Sequence, residues 1–196
     1  MNIARLLALL LCLAPLAGCG GGGSAAEAPL AGARIGGPFT LTDQDGRRVS
    51  DSAFKGKYRL VYFGYSFCPD VCPTDLQRLM QGFRLVERDD AARAAKIQPI
   101  FITVDPARDT PPVIRQFVSS FHPRLIGLTG SEAEIAQVAR EFAVVYRKEK
   151  GSTPDAYLVD HSRMAMLFGP EGQPIALIPQ DGTPQAIAAE LVKWVP

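Results

Sequence analysis

Apolar and polar positions follow two rhythms along this chain. Residues 58–64 (YRLVYFG) and 97–104 (IQPIFITV) are nearly unbroken apolar runs, the pattern of strands buried on both faces. Between them Leu76, Leu79, Met80, Phe83 and Val86 recur at helical spacing. Strand, helix, strand in that order predicts a right-handed parallel crossover. Upstream, residues 38–49 alternate around Asp45-Gly46, a tight-turn signal, and predict an N-terminal β-hairpin. Downstream, Pro111 and Pro112 open a short helix over 113–119, and 125–128 reads as a brief strand. A helix over 131–142 starts at Ser131 with Glu134 three residues on, the spacing of a capping box. Residues 144–148, 156–159, 164–168 and 174–178 predict further strands, with a turn at 169–172 and a closing amphipathic helix over 183–195. The expected fold class is α/β: a central mixed sheet flanked by helices, with no repeat and no second domain.

Composition agrees with one domain. The chain has 196 residues, 47% of them hydrophobic, enough for a single sizeable core. Lys and Arg number 21 and Asp and Glu 20. With no basic block anywhere, nucleic acid is excluded as a partner class, and a monomer is expected.

The first residues form an export signal. Met1 to Arg5 carries positive charge, and residues 6–13 are an apolar run too short to span a bilayer. Residues 16–19, LAGC, resemble a bacterial lipobox, so Cys19 is the expected lipidation site and Cys12 leaves with the leader. An ordinary cleaved signal is the plainer alternative. Residues 20–32 are rich in Gly, Ser and Ala, the composition of a flexible tether. The expected organisation is a signal peptide over 1–18, a tether over 19–34 and a folded domain over 35–196. The protein is expected in the bacterial cell envelope, lipid-anchored, with the domain in the periplasm or on the outer face.

Cys68 and Cys72 are then the thiols of the folded domain. They lie in GYSFCPDVCP (64–73), where the first buried strand ends and the helix begins. Ligands collect beyond the carboxyl ends of strands in open α/β sheets. Pro73 fits a first helical turn, and a cysteine at a helix N-terminus has its pKa lowered by the dipole. Spaced by four on a helical turn, two sulfurs share one face. They can bond to each other or hold a soft ion such as copper(I) or zinc. A purely structural disulfide is available too, although so small a loop gains less from cross-linking than a long one. Tyr65 and Phe67 flank the pair, either limiting water or packing in the core. Two histidines offer nitrogen. His122, in FHPRL, reads as part of a surface loop. His161, in YLVDHS, follows a short buried strand, and a lone histidine there is more often a bystander than a ligand.

Four stretches together resemble the Sco/SenC family: GGPFTLTDQDGR (36–47), YFGYSFCPDVCPTDL (62–76), FITVDPARDTP (101–111) and YLVDHS (157–162). They occur in the family's order across most of the mature chain. One departure is Gly169, where the family often has aspartate before its Pro-Glu-Gly turn. The resemblance implies a thioredoxin-like fold that binds copper, as Cu(I) or Cu(II), through Cys68, Cys72 and His161. It implies a metallochaperone for the copper centre of cytochrome c oxidase, whose partner is the copper-bearing oxidase subunit or another copper chaperone. It also places Asp105 and Arg108, in DPARDTP, near the metal, where they can orient ligands or meet a partner. Asp109 or Thr110 can instead be helix caps. Two other readings use the same cysteines: a thiol–disulfide reductase acting on an oxidase subunit or another exported protein, for which His161 is dispensable, and a peroxidase. Peroxidases of the peroxiredoxin kind place threonine three residues before the reactive cysteine; Tyr65 stands there relative to Cys68.

Overall fold

The computed structural model describes residues 27–151 and 156–196. The expected signal peptide, Cys19 and the first part of the tether lie outside them. In chain order the elements are β1 (Thr40–Asp43), β2 (Arg48–Ser50), β3 (Tyr58–Gly64), α1 (Val71–Asp89), α2 (Ala91–Ala95), β4 (Ile97–Thr103) and α3 (Pro111–Ser119). They continue with β5 (Ile126–Thr129), α4 (Glu132–Glu141), β6 (Tyr146–Glu149), β7 (Leu158–His161), β8 (Ala165–Phe168), β9 (Pro174–Ile178) and α5 (Pro184–Trp194).

Seven strands form one mixed sheet in the order β2-β1-β5-β4-β3-β8-β9. Its centre is parallel: β3 pairs with β4 from Tyr58↔Ile97 to Gly64↔Thr103, and β4 pairs with β5. The two apolar runs therefore occupy adjacent central strands, where both faces are covered and every side chain can be apolar. β1 and β2 pair antiparallel across Asp45-Gly46, with Gly46 at φ +79. Helix α5 packs closely on α1, because Gly82 offers no side chain: a Cβ there would lie 2.4 Å from Ile187 Cγ2. The architecture is the thioredoxin-like one, a mixed sheet with flanking helices and reactive residues beyond the end of a central strand.

Three differences from the sequence reading have clear physical causes. β6 and β7 do not join the sheet; they pair only with each other, Tyr146↔His161 through Glu149↔Leu158. Arg147, Lys148, Glu149, Leu158 and Asp160 are all exposed, so this ribbon has too little apolar surface to enter the core. β7 is consequently not a buried strand, and it includes His161 as its last residue. His122 is not on the surface. It is 4% exposed, its Nε2 lies 2.9 Å from Glu87 Oε2 and its Nδ1 accepts the Arg124 N–H; burial, opposed by Glu87, holds its pKa below the usual histidine value. Finally, within the segment expected as a tether, Leu30 N–H donates to the Ile175 carbonyl on β9, so that part of it lies against the sheet.

Candidate metal centre

β3 carries the chain to Gly64, and a turn brings Cys68 N–H onto the Tyr65 carbonyl at 3.3 Å. Helix α1 starts three residues later at Val71, so Cys72 is its second residue and Cys68 lies outside it. The expected shared helical face is therefore replaced by a loop–helix arrangement. The first N–H groups of any helix lack intrahelical partners. Asp70, at the N-cap, gives no side-chain cap; instead Cys72 N–H points at Cys68 Sγ, 3.5 Å away. A sulfur in the position of a helix cap is stabilised as thiolate by the N–H and by the dipole. Cys72 itself is fully buried, and Gly64 makes room for it: a Cβ at Gly64 would lie 3.1 Å from Cys72 Sγ.

β7 brings the histidine to this point. His161 Nε2 lies 3.1 Å from Cys72 Sγ. Its Nδ1 is 3.1 Å from the Ser162 carbonyl. A carbonyl only accepts, so Nδ1 carries the proton and Nε2 presents its lone pair to the sulfur. The rings of Tyr62 and Tyr65 meet the imidazole edge-on, with centroids 6.5 and 6.0 Å away. Tyr65 is buried, and its hydroxyl accepts the Val159 N–H, tying β7 to the cysteine loop. Phe67, the other flanking aromatic, is 51% exposed and does not shield the site.

The two thiols are unequal. Hydrogen bonding from the Cys72 thiol, with further help from the Asp70 and Cys72 N–H groups, holds Cys68 far below the ordinary thiol range, against the cost of its partial burial. Cys72 is pushed up, first by that same sharing with Cys68 and then by burial. The pair thus titrates as a unit that loses one proton easily and keeps the other. Both cysteines are free thiols. Iodoacetamide is expected to alkylate Cys68 alone, at a rate nearly constant from about pH 8 to about pH 6, whereas an ordinary thiol slows about tenfold per pH unit there. Rates followed by mass spectrometry that fall with pH like a free thiol's would contradict this ordering.

Buried carboxylates frame the centre. Asp75, one helical turn beyond Cys72 and fully buried, accepts the Tyr62 hydroxyl at 2.8 Å and a two-point contact from Arg163, at 3.0 and 2.7 Å. Asp105, also buried, accepts the Tyr157 hydroxyl at 2.6 Å and Arg108 Nε at 2.5 Å. Arg108 lies over the Tyr157 ring, 3.7 Å from its centroid, and donates to the Tyr157 carbonyl. Asp105 and Arg108 thus reach the site through Tyr157, four residues before His161. Asp109 caps no helix. It is buried and accepts from Thr103 Oγ1 and from the Ser66 N–H and hydroxyl, bolting the cysteine loop to the end of β4. Thr110 holds the N-cap position of α3 without a side-chain bond.

The sequence reading missed Gly64, Tyr62, Asp75 and Arg163. Asp75 had a signal: it is the one charged residue on the apolar stripe of α1 that runs from Cys72 through Leu76 and Leu79. Arg163 had none, since its partner is 88 residues away.

Among the described residues no three His, Cys, Asp or Glu side chains already enclose a metal position. With bonds of about 2.3 Å to sulfur and 2.0–2.1 Å to nitrogen, the lengths seen at zinc, a trigonal ion holds those ligands about 3.8 Å apart. The observed 3.1 Å would have to open by roughly 0.7 Å, a shift within reach of a side chain. A cleft of about 440 Å³ lies beside the group, lined by Tyr65, Cys68, Pro69, Leu158 and His161 among others.

Comparison with known proteins bears on this geometry. The SCO1/SenC family profile matches residues 27–196. The mitochondrial protein SCO2 of Saccharomyces cerevisiae is 45% identical over 140 residues, which are 71% of this chain and 46% of that protein; the chain spans about half the length of this relative. A SCO2-like protein of Rickettsia felis is 37% identical, covering 82% of this chain and 81% of its own. Among solved structures, Bradyrhizobium japonicum ScoI with copper bound superposes with a TM-score of 0.74 at 42% identity, over 82% of this chain and 99% of that one.

Proposed function

The chain belongs to the SCO1/SenC family, and from that membership we propose that it is a copper chaperone. It binds copper, as Cu(I) or Cu(II), through Cys68, Cys72 and His161. It passes the ion to the copper-bearing subunit of cytochrome c oxidase or to another copper chaperone. The observation that carries the ligand set is the 3.1 Å approach of His161 Nε2 to Cys72 Sγ, with Cys68 beside them as a ready thiolate. Two thiolates and an imidazole suit copper(I), while a structural zinc site wants four protein ligands. The copper-bound B. japonicum ScoI supports the same cargo.

Equilibrium dialysis of the reduced domain with copper tests the reading. About one equivalent is expected to bind. His161→Ala is expected to weaken binding at least tenfold and to lower copper loading of the oxidase in cells. Unchanged affinity in that variant would sink the ligand assignment.

The inequality of the thiols favours a second reading, thiol–disulfide exchange. The Cys68 thiolate would attack a partner's disulfide. Cys72 would then displace the mixed disulfide, its proton passing to the released thiolate. The products are a Cys68–Cys72 disulfide and a reduced partner with one thiol and one thiolate, the latter protonated by water. That role predicts full function in His161→Ala.

The domain is further proposed to work in the cell envelope, held to a membrane by lipid on Cys19 after removal of residues 1–18. Among the described residues no helix is long and apolar enough to cross a membrane. Cys19→Ser is expected to move the protein from the membrane to the soluble fraction; membrane retention would refute lipid anchoring.

A further inference from the structure

Copper binding as proposed needs His161 to face Cys72 with the correct ring nitrogen, and a two-stranded ribbon outside the main sheet is a poor platform for that. Such ribbons are only marginally stable by themselves. The segment that follows His161 is nevertheless fastened at three points. The Arg163 guanidinium grips both oxygens of Asp75. The Arg163 carbonyl accepts from Gln180 Nε2 at 2.8 Å. Ser162 Oγ accepts the Val145 N–H at 3.0 Å. The Ser162 carbonyl that receives His161 Nδ1–H belongs to the peptide bond shared by Ser162 and Arg163. Gripping Arg163 on both sides therefore immobilises the acceptor that sets the orientation and tautomer of His161. The other end of the grip, Asp75, stands one turn beyond Cys72 on α1, where the Tyr62 hydroxyl also holds it.

We propose that Arg163 and Asp75 form a positioning pair for His161, clamping the histidine-bearing segment to the cysteine-bearing helix so that Nε2 stays directed at the metal site. The inference rests on the copper reading of that site. The clamp has the geometry for this work. A planar guanidinium meeting a carboxylate at two points fixes direction as well as distance. Asp75 is fully buried while the Arg163 side chain is 39% exposed, so Arg163 closes over a charge that water does not reach. The pair hydrogen-bonds to none of the three ligand atoms; it acts through the Ser162–Arg163 peptide on one side and through the first turn of α1 on the other. Loss of groups that orient metal ligands typically weakens metal binding about 10- to 100-fold.

The test uses Arg163→Met and, because that change leaves Asp75 buried and unpaired, the double variant Asp75→Asn/Arg163→Met, which removes both charges. Ring ¹⁵N shifts of His161 in the copper-free protein are read first. Wild type should show the Nδ1–H tautomer, and both variants a mixture. Copper(I) affinity, measured by competition with a chromophoric chelator, should fall about 10- to 100-fold in both. Arg163→Lys, which keeps charge but not the fork, should recover part of the loss. In a His161→Ala background, Arg163→Met should change affinity less than about twofold, because a positioning residue has nothing left to position. An unchanged tautomer together with near-wild-type affinity overturns the proposal. So does a loss that multiplies with that of His161→Ala, since the pair would then act on the cysteines. If wild type binds no copper, the copper reading fails by itself, and the tautomer comparison still decides whether the clamp orients His161.

Discussion

Cys72→Ser is expected to lower copper affinity by on the order of 10²- to 10³-fold. Structural zinc sites bind with about 10–16 kcal/mol across four ligands, so one ligand contributes about 3–4 kcal/mol, and a similar share is expected here. Linkage supplies a second readout. A ligand at about a thousandfold excess over its Kd stabilises a fold by about 4 kcal/mol. Copper should accordingly raise the Tm of wild type by about 10 °C and that of Cys72→Ser by less than about half as much. Calorimetry with and without copper decides the matter; equal Tm gains in both proteins would place the ion elsewhere.

Phe142→Ala is expected to cost about 3–5 kcal/mol of folding stability, the range for deleting a buried aromatic ring. Phe142 is 3% exposed and packs on Phe63, Phe168 and Phe39, with centroids 5.5, 5.1 and 6.3 Å away. It joins the end of α4 to the sheet between β3 and β8. For a domain of this size the loss corresponds to a Tm about 6–20 °C lower. Copper affinity of the folded variant should stay within about threefold, because the thiolates and the imidazole are held by contacts that do not pass through this ring. A large drop in affinity, measured well below the lowered Tm, would show that the aromatic core and the metal centre are mechanically coupled.

These two outcomes separate what the fold does from what the site does. The core supplies a rigid end to β3. The chemistry is then assembled from the loop at 65–70, the first turn of α1 and the end of β7. Asp109 and Asp75, both buried, brace the loop and the helix, while Tyr65 reaches across to the ribbon and Arg163 reaches from the segment after it back to α1. Such buried polar groups are costly unless every partner is present. A substitution at any one of them should therefore strand its buried partners and disturb the whole site.

Local rhythm was enough to reveal most of the fold. The apolar runs that became β3 and β4, the stripe of α1 and the Ser131–Glu134 capping box, seen with Ser131 Oγ accepting from Glu134 N–H, depend on neighbours within a turn or two. The donor types were legible in part: two cysteines at a strand–helix junction pointed to soft-metal or redox chemistry, while His161 came into view only through the family resemblance. What the sequence alone could not decide is the company those residues keep. Cys72 and His161 are 89 positions apart and Asp75 and Arg163 are 88 apart. Nothing in their local surroundings announces either contact. Periodicity also misjudged His122 and β7, because whether a polar residue is buried depends on partners such as Glu87 and Tyr65 that other elements bring. Secondary structure follows from interactions that close over a few residues, whereas a metal site, its tautomer and its clamps exist only once the chain has folded back on itself.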